Sequence, residues 1–131
     1  MIFVDTGGWF AYLIPTDLDH ATAAAWMIAN RTPLLTTDYV IDETLTLLRS
    51  RGQNRIAVDF GTLVFAGQMA TIHYLTSAEI AAAWNVFHRY ADKYWSFTDC
   101  TCKVIMESFA ITSAFSFDQH FRQFGTVSVV P

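Results

Sequence analysis

The sequence predicts an α/β domain in three layers, α/β/α, with a central, mostly parallel sheet. Two observations predict it. Short apolar runs of strand length recur along the chain, and longer segments with helical spacing separate them. Strands separated by helices need crossover connections, which make the sheet mostly parallel and cover both of its faces.

The elements follow in order. Ile2–Val4 is an apolar run suited to a strand buried on both faces, and Asp5 and Thr6 end it. Trp9–Ile14 is expected as a short helix that stops at Pro15, because proline cannot continue a helix. Thr16 or Asp17 then caps a second helix through the alanine-rich Ala21–Ala29, and Asn30 closes it. Pro33–Thr37 reads as the second strand. Asp38–Arg51 is expected to be helical, with Arg49 and Arg51 at its negative end and Gly52 as the stop. A further helix fits Asn54–Gln68, and the third strand is Ala70–Leu75. Thr76 or Ser77, followed by Glu79, marks the capped start of Ala78–Asp92, where Ile80, Trp84, Phe87 and Ala91 recur at helical spacing. Ser96-Phe97-Thr98-Asp99 matches the S/T-x-x-D capping pattern and opens a helix to Phe109. Ile111–Phe117 and Thr126–Val130 are the remaining strands.

Composition narrows the function classes. A chain of 131 residues has length for one sizeable core, so residues 1–131 are expected to form one domain. With 53% hydrophobic residues and a mean hydropathy of +0.28, some apolar surface is expected to serve a partner, a second copy included. Apolar runs such as Ile80–Trp84 and Val127–Val130 fall far short of the roughly 20 residues of a membrane span. The opening Met-Ile-Phe-Val-Asp lacks the charged start of a secretion signal, so a cytoplasmic location away from membranes is expected. Cys100 and Cys102 have no second cysteine pair and read as buried or idle thiols rather than zinc ligands. A net charge of -4 argues against gripping nucleic acid by lysine and arginine alone, but not against a grip bridged by a cation on carboxylates.

Acids fall where such a sheet binds its ligands, outside the carboxyl ends of the strands and near helix N-termini. Asp5 follows the first strand, Asp118 follows the strand ending at Phe117, and Asp99 sits in the first turn of a helix. The fourth candidate lies on Asp38–Arg51, where Asp42 and Glu43 compete. At about 100° per residue, Asp42 lies about 20° from Arg49 on the polar side, and Glu43 about 40° from Leu47 at the edge of the apolar arc. That favours Glu43 by a small margin. Singly, each acid has an ordinary role: Asp5 as a cap, Asp99 at the helix dipole, Asp118 in a turn, Glu43 on a solvated face. Together, four at one sheet edge exceed what capping requires. An all-oxygen set suits a hard cation such as Mg²⁺ or Mn²⁺. Two carboxylates about 4 Å apart repel by roughly 4 kcal/mol at an effective dielectric of 20, so mutual repulsion is expected to raise their pKa values.

The remaining polar and aromatic residues are assigned ordinary places. His20, His73, His88 and His120 are scattered; His120, two residues beyond Asp118, is the exception that could approach the cleft, though a helix face is the favoured expectation. Trp9, Trp26, Trp84 and Trp95 are expected in the core or at a dimer surface, and Arg49, Arg51, Arg55, Arg89, Lys93 and Lys103 on solvated faces.

The segments Asp5-Thr6-Gly7, Asp42-Glu43-Thr44, Ser96-Phe97-Thr98-Asp99-Cys100 and Phe115-Ser116-Phe117-Asp118-Gln119-His120-Phe121 resemble the successive motifs of PIN-domain proteins. The likeness spans nearly the whole chain and is greatest to the VapC-like subset, with Tyr90-Ala91-Asp92-Lys93 before the third motif and a terminal Val129-Val130-Pro131. The resemblance implies a PIN-like fold and an acidic quartet, Asp5, Glu43, Asp99 and Asp118, that binds Mg²⁺ or Mn²⁺ and hydrolyses RNA. On that reading Asp5, Asp99 and Asp118 coordinate the cation, and Glu43 ligates it or orients the attacking water. Ser116 stands where many relatives carry threonine, and it keeps a hydroxyl able to orient a ligand or water. The same likeness implies a toxin partnered by a small antitoxin protein, and the high hydrophobic content predicts a homodimer. Three other classes stay open: a non-toxin RNA-processing nuclease, a magnesium-dependent DNA nuclease or phosphatase, and a catalytically silent binding module.

Overall fold

The computed structural model describes residues 1–131. Five strands, β1 (Ile2–Val4), β2 (Leu34–Thr37), β3 (Thr71–His73), β4 (Ser113–Phe115) and β5 (Ser128–Val130), form one sheet in the order β3-β2-β1-β4-β5. All four pairings are parallel. The helices are α1 (Thr6–Leu13), α2 (His20–Ala29), α3 (Asp38–Ser50), α4 (Asn54–Phe65), α5 (Ser77–Arg89) and α6 (Phe97–Ser108), and a 3₁₀ helix spans Gln119–Phe124. They complete the α/β/α arrangement. Strand order reverses between β1 and β4, so the crevice at the carboxyl ends of these two strands is the topological switch point.

Local chemistry explains most boundaries and corrects several expectations. Helix α1 starts at Thr6 rather than Trp9, because the Asp5 side chain accepts the Gly8 N–H and so outweighs the poor helix propensity of Gly7 and Gly8. Helix α2 follows Asp19 without a side-chain cap, so neither Thr16 nor Asp17 caps it. Helix α3 is capped by Thr37 and followed by Gly52 at a left-handed φ of 72°. Helix α4 ends at Phe65 instead of Gln68, because Gly67 turns the chain with φ at 73°. Helices α5 and α6 both open with reciprocal capping boxes, Thr76 with Glu79 and Ser96 with Asp99. Strand β1 spans Ile2–Val4 as expected, whereas β2 to β5 are shorter than their apolar runs, since backbone pairing engages only three or four residues in each.

Packing fixes the switch point. Val4, Phe3, Leu35, Ala114 and Phe115 of the central strands are buried within one continuous apolar cluster. Trp9 packs on Phe60 of α4, with ring centroids 5.2 Å apart, while its Nε1–H donates to Thr36 Oγ1 at 3.2 Å and the Thr36 hydroxyl donates to the Val4 carbonyl. Trp26 of α2 stacks on Phe115 at 4.5 Å. Trp9 and Trp95 are therefore core residues, whereas Trp84 is 57% exposed.

Gly8 sets the approach of α1 to β4. A Cβ at Gly8 would lie 2.8 Å from Phe115 Cδ1 and closer still to the Phe115 carbonyl oxygen, whereas one at Gly7 would meet nothing nearer than 3.7 Å. Gly8→Ala is therefore expected to destabilise the fold by about 1–3 kcal/mol through overpacking. Gly7→Ala should melt at or above the parent, since alanine favours the helix. Urea titration of both variants measures this, and equal stability of the two would refute the close approach.

Candidate metal centre

Each of the four acids reaches the switch point from a different element. Asp5 leaves β1 and caps α1; its Oδ1 accepts the Gly8 N–H at 2.6 Å, and its Oδ2 accepts the Ser116 hydroxyl at 2.7 Å. Ser116, just past β4, also accepts the Asp118 N–H on Oγ at 3.0 Å. One hydroxyl thus joins the ends of the two central strands and orients Asp5 itself. Asp118 caps the 3₁₀ helix, its Oδ1 accepting the His120 N–H at 2.9 Å. Asp99, in the first turn of α6, accepts the Ser96 N–H on Oδ2 at 3.0 Å.

Asp5, Glu43, Asp99 and Asp118 together line one cavity of about 180 Å³, with Thr6, Gly7, Thr98 and Cys102 completing its wall. Glu43 is half-buried there, while Asp42 is exposed and outside it. The ordinary roles and the shared site are both present: three of the acids cap helices, and the same three face the cavity.

His120 departs from expectation. Its ring reaches two of the cavity's acids without itself lining the cavity, with Nδ1 3.0 Å from Asp99 Oδ2 and 3.5 Å from Asp118 Oδ1. The donor atoms of Asp99, Asp118 and His120 lie within 4.8 Å of one another, and Asp5 and Glu43 share the cavity without joining that tighter group. The helix-face expectation failed because the 3₁₀ helix begins at Gln119 and turns His120 back toward α6. The Asp-x-His spacing carried the signal, but the partner residue is 21 positions away.

Electrostatics follow from burial more than from crowding. Burial pushes the Asp5 carboxyl up to about 7, against the Gly8 N–H and the Ser116 hydroxyl, and the charges of Asp118 and Asp99 add to the rise. Burial also raises Asp99, with the Ser96 N–H opposing it and Asp118 adding to it. Desolvation, not the expected mutual repulsion, is the leading cause in both. The thiols behave as inert apolar groups: both are free and buried, and burial raises Cys100 to about 11 and Cys102 well above its usual value.

The donor set fits a hard divalent cation. No lysine or arginine forms an ion pair with any of the four acids. Thr6 Oγ1, on a residue of the cavity wall, is buried without a hydrogen-bond partner. Carboxylates that are buried or half-buried without a lysine or arginine counter-charge, beside a neutral thiol, favour an oxygen-seeking ion over zinc.

A raised acid stabilises the fold fully below its unfolded pKa, here 3.8, and loses that contribution as pH rises through about 7. Asp5→Asn keeps Oδ1 for the Gly8 N–H and removes the charge. In chelator, Asp5→Asn should melt above the parent at pH 8, and this advantage should shrink at pH 5 by about 2–3 kcal/mol. Calorimetry at the two pH values checks it; a difference independent of pH would show that Asp5 is not a desolvated carboxylate.

The family model of the PIN domain matches residues 2–127. The 23S rRNA-specific endonuclease VapC20 of Mycobacterium tuberculosis, from strain CDC 1551 / Oshkosh and from strain ATCC 25618 / H37Rv, is 32% identical over 131 residues, covering 100% of this chain and 99% of the relative. The crystal structure of Mycobacterium tuberculosis VapC20, described as a sarcin-ricin loop cleaving toxin, matches with a TM-score of 0.92 at 30% identity, covering 100% of both chains. A family match across nearly the full length, with the strand order and acid placement described above, shows that this chain belongs to the PIN-domain family.

Proposed function

We propose that this chain is a Mg²⁺- or Mn²⁺-dependent endoribonuclease and the toxin half of a toxin–antitoxin pair, with Asp5, Glu43, Asp99 and Asp118 as its active-site acids. The observation that carries this reading is the meeting of four carboxylates from four elements in one cavity, without lysine or arginine to neutralise them. RNA as the substrate is supported by the relative's description as a 23S rRNA-specific endonuclease and by identity across the whole chain. At about 180 Å³ the cavity is below the roughly 300 Å³ at which organic-ligand pockets begin, so it suits a cation and a phosphate group rather than a nucleobase.

Asp5, Asp99 and Asp118 would hold the cation. When bound, it supplies positive charge that offsets the charge developing on the phosphate during in-line displacement. Glu43 accepts no hydrogen bond from the chain, so its carboxylate is free to orient the attacking water and take up its proton. The water oxygen bonds to phosphorus as the bond to the leaving ribose oxygen breaks, and that oxygen takes a proton from solvent water. Asp5 is held from both sides by Gly8 and Ser116, which fixes the floor of the site before substrate arrives.

Exposed apolar surface supports the two protein partners. On α5, Trp84 and Phe87 are 57% and 41% exposed with rings 6.0 Å apart, a surface suited to a second copy. A groove of about 520 Å³ between α3 and α4, walled by Leu45, Ala57 and Val58, suits an apolar antitoxin segment.

RNA cleavage is expected to need Mg²⁺ or Mn²⁺ and to stop in EDTA; activity in chelator would refute the reading. Asp5→Asn and Asp99→Asn should each lower the rate at least about a hundredfold. Asp42→Asn should change it little, and a greater loss there than in Glu43→Gln would show that the wrong acid had been placed in the site. For the assembly, light scattering at micromolar concentration should give a dimer for the parent and a monomer for Trp84→Glu. A monomeric parent would remove the dimer while leaving the nuclease intact.

A further inference from the structure

We infer that His120 is a positioning residue, which holds the Asp99 and Asp118 carboxylates in the orientation that receives the cation; this rests on the reading of those acids as cation ligands. Asp99 must be ionised to receive a cation, and an ionised carboxylate oxygen can only accept, so in that state the His120 Nδ1 facing Asp99 Oδ2 at 3.0 Å carries the hydrogen and donates it. The backbone N–H of the same residue donates to Asp118 Oδ1 at 2.9 Å. One residue thereby tethers two acids that arrive on different elements.

The tethers leave one oxygen of each acid free. Asp99 Oδ2 takes both the Ser96 N–H and the His120 ring, while its Oδ1 accepts nothing from the chain. Asp118 Oδ1 takes the His120 N–H, and its Oδ2 is likewise free. With the ring gone, Asp99 would keep only its backbone cap, and rotation of the carboxyl group would no longer be fixed from the side of the 3₁₀ helix. Outer partners of this kind orient ligands and raise their basicity.

The ring is itself held in place. Phe121, the next residue, is fully buried with its ring 6.3 Å from Phe3 and 4.8 Å from Phe124. Trp95, which precedes the α6 cap, donates from Nε1 to Gln123 Oε1 at 2.8 Å and ties the 3₁₀ helix to the start of α6. His120 therefore sits on a rigid mount relative to Asp99. Because Nδ1 carries a hydrogen toward the acids, it presents no lone pair there, which separates this role from direct ligation.

The test measures Mn²⁺ binding to the full chain by titration calorimetry and electron spin-echo spectroscopy, for the parent, His120→Ala and His120→Asn. His120→Ala should lose about 10–100-fold in Mn²⁺ affinity. His120→Asn places its amide N–H where Nδ1–H stood and should recover most of that loss. Bound Mn²⁺ in the parent should show no hyperfine coupling to a directly bonded imidazole nitrogen. Melting in chelator verifies folding, and His120→Phe, which fills the space without a donor, replaces the alanine variant if that one does not fold. Unchanged affinity in the variant without a donor, an asparagine variant as weak as the alanine one, or a directly bonded nitrogen signal would each overturn the positioning role. Failure of the parent to bind Mn²⁺ at all would instead overturn the cation reading of the acids, and with it this inference.

Discussion

Three acids on this chain are buried or half-buried at one sheet edge, and each is tied by one oxygen to a backbone N–H at a helix start. Asp5 holds the start of α1, Asp99 the start of α6, and Asp118 the start of the 3₁₀ helix. The rest of the site depends on this constraint. In a parallel sheet the carboxyl ends of the strands lie together and the following helices begin there, so their unsatisfied N–H groups converge on one crevice. Those N–H groups favour negative charge, which is why carboxylates can gather at that edge and nowhere else in the fold at comparable cost.

Capping does not remove the tension it organises. Asp5 remains raised to about 7 despite two hydrogen bonds, because burial removes more solvation than the bonds restore. The close approach at Gly8 seats α1 against Phe115 beside this carboxyl, whose Oδ1 accepts the Gly8 N–H. Tight packing and electrostatic strain therefore meet at this site. The strain is the kind that a cation relieves, since binding N but not U stabilises the fold by mass action.

Several local signals survived translation from sequence to structure, although the cap expected at Thr16 or Asp17 did not. The boxes at Thr76 with Glu79 and Ser96 with Asp99 are contacts within four residues, and both form as read. Glu43 rather than Asp42 faces the cavity, as the angular position on α3 indicated. Less visible was the start of α1, where two glycines argue against a helix and only the Asp5 cap, seated by tertiary packing, overrides them. Strand lengths were overestimated at β3, β4 and β5 because an apolar run records burial, while a strand also requires a paired neighbour.

The sequence by itself determined the alternation of elements, the parallel character of the sheet, and which acids stand at strand ends and helix starts, because these follow from short-range periodicity and capping. Only the tertiary structure decided how those acids are held. Ser116 binds Asp5 across 111 positions, and His120 reaches Asp99 across 21. It also decided that desolvation leads repulsion at Asp5 and Asp99. Both outcomes depend on which surfaces meet when helices close over the sheet, and no residue's neighbours in sequence specify that.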